Sequence, residues 1–315
     1  MSRKGRRSGA KRSKTPWVIL SLVVVLAIVA YFIFTLSGAT GGSPLNGQPV
    51  SPVVLSQLAG VSANTLNTVG AGPATNPVKP ITSATPLIAN GKPEMLYMGA
   101  EYCPFCAAER WSMIIALDKF GNFTGLEYTQ SSASDPAFPN TPTFTFRNAT
   151  YSSSYISFVS VEQTDRNHQP LQTATAEQTA LLNQYDTQGS IPFIDLGNQY
   201  VVVGSQFSPA VLRVGGGTTA PPYNWTQIAA QLDNSTSAIA LNVDGTANRL
   251  ISAICKIDGD KPSSVCSQSF AQVLSHVRNS PSGGPQLLVS DLVLRGAPPS
   301  AAAGRSEPNR HVAHV

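Results

Sequence analysis

Twenty consecutive residues without a charge, Trp17 to Leu36 (WVILSLVVVLAIVAYFIFTL), decide where the rest of this 315-residue chain has to fold. As a helix rising 1.5 Å per residue, the stretch measures about 30 Å, the thickness of a bilayer's hydrocarbon core. Residues 1–16 carry seven basic side chains and no acid, and the next charge after Lys14 is Lys79. A basic flank of this kind stays on the cytoplasmic side. The sequence therefore predicts a basic cytoplasmic tail over 1–16, one transmembrane helix over 17–36, and a remainder outside the cytoplasm. The competing reading is a cleaved signal peptide ending near Ser37-Gly38-Ala39, but its apolar region would exceed the roughly 7–15 residues that such peptides carry. The formal net charge of +4 belongs to the tail: without its seven cations the chain holds 14 basic against 17 acidic residues. That balance argues against a nucleic-acid partner. Outside the cytoplasm disulfides form and persist, so the four cysteines acquire meaning.

Residues 37–91 read as a linker with two short helices. Its first part, 37–50, is rich in Gly, Ser and Pro and is expected to be flexible. The runs Ser51–Ala59 and Ser62–Val69 each open on a serine suited to an N-cap and are each followed by glycine, Gly60 and Gly70. Residues 71–92, with four prolines, are expected to be irregular. A compact domain spans 92–235. In it, Glu94–Met98 is a strand ending at Gly99, and apolar residues at helical spacing (Ala107, Trp111, Ile114, Ile115, Leu117) predict a helix from Pro104 to about Phe120. Gly125–Ser131 is a second strand, 132–142 a loop, and Thr143–Arg147 with Ser154–Val161 an inserted hairpin. Thr175–Tyr185 is a helix, and Ile191–Leu196 with Gln199–Val203 is a hairpin turned at Gly197-Asn198. Asn224–Leu232 closes the domain as a helix. A C-terminal helical extension over 236–296 contains helices at Thr246–Lys256 and Val265–Val277, and 297–315 is a disordered tail.

Cys103 and Cys106 sit in GAEYCPFCAAERW, at the start of the predicted helix. Unpaired N–H groups and the helix dipole stabilise a thiolate there, and Pro104 suits the first turn because its missing donor costs nothing. Cys103 is then the nucleophile and Cys106, one turn inward, resolves the mixed disulfide. A static structural pair is the plainer alternative. A zinc site using all four cysteines is the third, although Cys255 and Cys266 have poor spacing for it. Cys255 and Cys266 flank a short connection between two predicted helices and are read as a structural disulfide, the alternative being a second redox couple. Tyr102 and Phe105 flank the reactive sulfur as an apolar substrate surface. Glu101 and Glu109 are read as solvated charges at a helix start, the alternative being a proton relay to the dithiol, Trp111 as core, and His168 as incidental. Four acceptor sequons begin at Asn122, Asn148, Asn224 and Asn234, at a frequency that chance explains in so Thr-rich a chain.

The order of elements and the stretch Ala100-Glu101-Tyr102-Cys103-Pro104-Phe105-Cys106 resemble the thioredoxin superfamily. Ile191-Pro192 ahead of a hairpin is similar to its cis-proline loop, which faces the dithiol and receives the substrate backbone. That resemblance covers residues 92–235 and implies an α/β, thioredoxin-like fold, with an inserted hairpin and a C-terminal helical extension. It also implies that Pro192 and Ile191 belong to the site. Two positions depart from the pattern. Tyr97 stands where thioredoxins keep a buried Asp, and Phe105 stands where strong oxidants of the superfamily keep His. Through the block NGKPE–YMGAEYCPFCAAERW at 90–111, the extracytoplasmic part also resembles an uncharacterised prokaryotic family, a domain of unknown function whose members are membrane-anchored and thioredoxin-like.

These features lead to an expected function: thiol–disulfide exchange on the thiols or disulfides of exported proteins, in concert with a membrane redox partner. The dithiol is itself the reagent, so no bound cofactor or metal is required. The other function class is a redox-inactive thioredoxin-like binding module with structural disulfides.

Overall fold

The structure, a computed structural model, describes residues 42–274 apart from Ser83 and Thr219. The basic tail, the apolar span, the cleavage alternative at 37–39, the end of the last expected helix and the expected C-terminal tail lie outside the described residues. Among the described residues no helix is long and apolar enough to cross a membrane.

The central element is β3 (Lys92–Gly99), flanked by β8 (Ser157–Glu162) in parallel and by β9 (Phe193–Leu196) antiparallel. Beyond β9 come β10 (Tyr200–Val203) and the two-residue β1 (Lys79–Pro80), both antiparallel, while β2 (Ile88–Ala89) pairs with the start of β3. Strand alternation sorts the side chains of β3 onto two faces. Met95 and Tyr97 join the larger core with Ile194 and Leu196; Leu96 and Met98 join a smaller one with Val161, Phe193 and Val201. Helices cover both faces, which is why β3 reads as a nearly continuous apolar run. The helix α3 (Pro104–Leu117) packs on the larger core, and α4 (Ala176–Tyr185) contributes Leu182 to the smaller one.

Before the sheet, α1 (Pro52–Ala59) and α2 (Ala63–Val69) form as expected, with Ser51 and Ser62 accepting from the amides of Val54 and Thr65. The stretch ahead of them departs from the flexible linker that its composition suggests. Gly47 and Val50 donate backbone hydrogen bonds to the carbonyls of Tyr128 and Leu126, and Val50 is buried. Residues 71–92 are likewise not wholly irregular. Asn90 and Gly91, both at positive φ (53° and 72°), turn β2 into β3 as a tight hairpin, a connection for which Asn-Gly is the favoured pair.

The insertion between α3 and β8 differs most from expectation. The strand expected at Gly125–Ser131 forms as β5 (Glu127–Gln130), and a strand that was not expected, β4 (Gly121–Thr124), precedes it across Gly125 at φ 74°. Instead of one hairpin, β6 (Pro142–Thr145) pairs with β5 and β7 (Thr150–Ser153) with β4, while β8 leaves to join the central sheet. Phe123, Phe146, Tyr151 and Phe158 form an aromatic cluster, with centroids 4.9–5.9 Å apart, that ties the insertion to β8.

After a short α5 (Trp225–Ala229), α6 runs from Ala238 to Ile257, eight residues earlier than its expected start. Gly245 lies mid-helix and is used for close approach: a Cβ there would stand 2.7 Å from Gly72 Cα and 2.8 Å from the Ala71 carbonyl oxygen. Asn248 donates to the Leu66 and Gly70 carbonyls (2.8 and 2.7 Å), and Arg249 to that of Gly72. The stretch expected as one helix over 265–277 begins as α7 (Ser263–Cys266) and continues as a 3₁₀ turn at Ser269–Gln272. Cys255 and Cys266 are joined by a disulfide, Cα–Cα 5.6 Å, which takes two thiolates away from any four-cysteine zinc site.

The same helix buries Asp244, both of whose carboxylate oxygens lack a partner among the described residues. Burial, with a further contribution from Asp233 and opposed by Lys119, raises its pKa to about 8. The folded state thus keeps a proton that the unfolded chain releases near pH 4, so stability is full below that pH and declines as pH rises toward 8. Asp244→Asn is expected to raise stability by a few kcal/mol at pH 8 and to change little near pH 4.5. Thermal melts of both proteins at the two pH values check this, and an equal effect at both would refute it.

Candidate functional site

The strand β3 delivers the chain to the dithiol. Gly99 ends it without a side chain because the Tyr97 hydroxyl occupies the place a Cβ would take. Cys103 follows as the N-cap of α3, in extended conformation (φ −78°, ψ 119°), and Pro104 takes the first helical position. The Cys103 Sγ accepts from the Cys106 N–H at 3.2 Å. Cys106 is fully buried on the inward face of the first turn. Both cysteines are free thiols.

Their electrostatics diverge. The Cys106 thiol donating to its sulfur holds the Cys103 pKa below the ordinary thiol value. The Cys106 and Phe105 amides and Arg110 add to this, and burial opposes it. Burial pushes the Cys106 thiol well up. The pair therefore consists of one sulfur held below and one held above the ordinary thiol value, so Cys103 is the readier nucleophile of the two.

The Ile191–Pro192 peptide is cis. Pro192 is buried at the start of β9, its carbonyl accepting from the Gly204 amide at 2.7 Å. The Ile191 carbonyl oxygen lies 3.9 Å from Cys103 Sγ, so the loop and the dithiol face one another. Tyr102 stacks on His168 at 4.3 Å, and Phe105, 43 % exposed, meets Phe138 edge-on at 5.9 Å. Phe138 is fixed from behind: its amide donates to Asp135, and the Arg213 guanidinium lies 5.9 Å from its ring centre. His168, read from sequence as incidental, is thus part of the rim through Tyr102.

Two further expectations fail. Glu109 is fully buried, accepting from Ser205 Oγ (3.1 Å), the Gln206 amide and the Gln206 side chain (both 2.9 Å), so it anchors the chain leaving β10. Glu101 is also buried, which raises its pKa. The residues missed by the sequence reading are Arg110 and Glu162, joined as a buried ion pair with Nε–Oε1 at 2.9 Å and Nη2–Oε2 at 2.6 Å. A signal existed: Arg110 falls in the stripe of Cys106, Ala107, Trp111 and Ile114, where an apolar residue belongs.

The sequence pattern of DUF929, a domain of unknown function, matches residues 80–256, more than half of the chain. The chain belongs to the DUF929 family. The DUF929 region runs from β1 nearly to the end of α6, so it contains the dithiol, the cis-prolyl loop and the Arg110–Glu162 pair. The helices α1 and α2, and Cys266, lie outside it. No curated protein and no solved structure matches the chain.

Proposed function

We propose that this DUF929 protein is a membrane-anchored, extracytoplasmic thiol–disulfide oxidoreductase acting on exported proteins, with a thioredoxin-like arrangement at its centre. The observation that carries the reading is the position of Cys103 Sγ: at a helix N-terminus, accepting from the Cys106 amide, and 3.9 Å from the carbonyl before a cis-proline. A parallel β3–β8 pair, an antiparallel β9–β10 hairpin after the cis-proline, and helices on both faces support the fold assignment. Cys103 attacks, Cys106 resolves, and the Ile191–Pro192 loop receives the partner's backbone. Phe105 and Tyr102 offer it apolar contact. The apolar stretch at 17–36 supplies the anchor, and the membrane is where the redox partner is expected.

The opposing reading, a redox-inactive binding module, draws on one observation: Cys103 is only 5 % exposed. A single experiment separates them. In the full chain, Cys106→Ala leaves Cys103 able to attack but removes the resolving thiol, so a mixed disulfide with an exported protein, or with glutathione disulfide as probe, accumulates and is detected by mass. Failure to form any adduct, in a variant that melts like the parent, would favour the binding module.

A further inference from the structure

Arg110 lies one helical turn beyond Cys106 on the same buried face of α3, a spacing that places the two Cβ atoms about 5–6 Å apart. Its guanidinium is sealed from solvent. Nε and Nη2 bind Glu162, and Nη2 also donates to the Ala100 carbonyl at 2.9 Å, just before the dithiol loop. Nη1 has no partner among the described residues. Neither does the hydroxyl of Tyr97, whose ring centre lies 5.7 Å from the guanidinium carbon. A buried ion pair is a poor source of stability, and an unmet buried donor is a cost. Such an arrangement needs another reason to be there.

We propose that Arg110 is a positioning residue for the resolving step, its fixed positive charge stabilising the Cys106 thiolate as that sulfur attacks the mixed disulfide. The proposal rests on the thiol–disulfide reading above. In the step, Cys106 gives up its proton and its sulfur attacks Cys103 Sγ. The Cys103–Cys106 bond forms as the bond from Cys103 to the partner breaks. The partner's sulfur leaves with the electron pair and takes up a proton. The dithiol is oxidised by two electrons and the partner is reduced by two. Burial disfavours the Cys106 anion, and the titratable side chains that interact with it, Arg110 apart, are Cys103 on its own helix, Tyr97 from β3 and Tyr102 from the loop between, while Glu162 from β8 and Glu101 from that loop act on Arg110. None of these can carry a positive charge. Arg110 does so; the proton that Cys106 releases passes to solvent, and the partner's departing sulfur takes one up in exchange.

The test uses the full chain in detergent, with glutathione disulfide as probe. Acid quenching and mass measurement follow decay of the Cys103–glutathione adduct from pH 5 to 9. Glu162→Gln leaves Arg110 unneutralised and is expected to move the midpoint of resolution to lower pH. Arg110→Gln combined with Glu162→Gln removes the cation without stranding an anion. It is expected to move the midpoint up and slow resolution at pH 7 at least about tenfold. Opposite directions are the signature, because a merely structural pair would impair both variants alike; both slowing together, or neither moving, overturns the proposal. Should the double variant fail to fold by circular dichroism, Glu162→Gln decides alone, and a midpoint unmoved or raised overturns it. Absence of any adduct in Cys106→Ala sinks the underlying exchange reading instead.

Discussion

On the proposed function, Cys103→Ser is expected to bring thiol–disulfide exchange down to its uncatalysed rate, a loss on the order of a thousandfold or more. A serine hydroxyl at a helix N-terminus accepts the same amide hydrogen bond, so the helix start survives while the nucleophile does not. In the parent, the first attack follows the thiolate fraction of Cys103, which the Cys106 thiol and the amides of the first turn enlarge. The rate is therefore flat above a midpoint lying below the ordinary thiol value, and it falls about tenfold for each pH unit beneath that midpoint. Glutathione disulfide reduction by parent and variant across pH 5–9 measures both effects. Retention of more than a tenth of the rate in Cys103→Ser would show that the exchange occurs elsewhere.

Gly245→Val is expected to destabilise the fold by about 3 kcal/mol, the upper part of the range for forcing extra atoms into a packed interior. The added Cβ would stand 2.7 Å from Gly72 Cα and 2.8 Å from the Ala71 carbonyl oxygen, and both contacts are with backbone. That backbone has little room to retreat. Asn248 grips the Gly70 carbonyl, Arg249 grips that of Gly72, and a Cβ on Gly72 would itself meet the Leu241 carbonyl. For a domain of this size the melting temperature should fall by roughly 6–12 °C. Gly245→Ala, which gains about 1 kcal/mol of helix propensity against a smaller intrusion, should fall between parent and Val. A Val variant melting within 2 °C of the parent (about half a kcal/mol by the same scaling) would show that the crossing is looser than its geometry.

These two regions also mark where the sequence was informative and where it was not. The start of α3 was legible because every signal there is local: a strand ending in glycine, a proline suited to the first turn, and apolar residues at helical spacing. The Gly197-Asn198 turn was legible for the same reason, both residues standing at positive φ. Asn90-Gly91 carried an equal signal, obscured by the prolines around it. The start of α6 was missed because helix propensity penalises Gly245, whereas the tertiary contact with Gly72 rewards it. The insertion was misread because pairing partners are chosen over distance. Tyr128 finds Phe144 and Phe123 finds Tyr151, and no local period distinguishes these ladders from a simple hairpin. Arg110 and Glu162 are separated by 52 positions, so the charge of one was visible and its counter-charge was not. Glu109 was assigned to solvent because acids favour helix starts; the amide that claims it belongs to Gln206.

The bridge between Cys255 and Cys266 lies inside the fold, at 0 % and 2 % exposure. On the proposed function this bridge stays closed, and exchange falls to the other pair, whose Cys103 faces the cis-prolyl loop. Under that proposal each chain then exchanges two electrons at a time, and thiol titration should count two sulfurs after unfolding without reductant and four after unfolding with it. If the proposed exchange holds, an encounter with a partner ends after one disulfide has changed hands, and the protein has to be reset before the next.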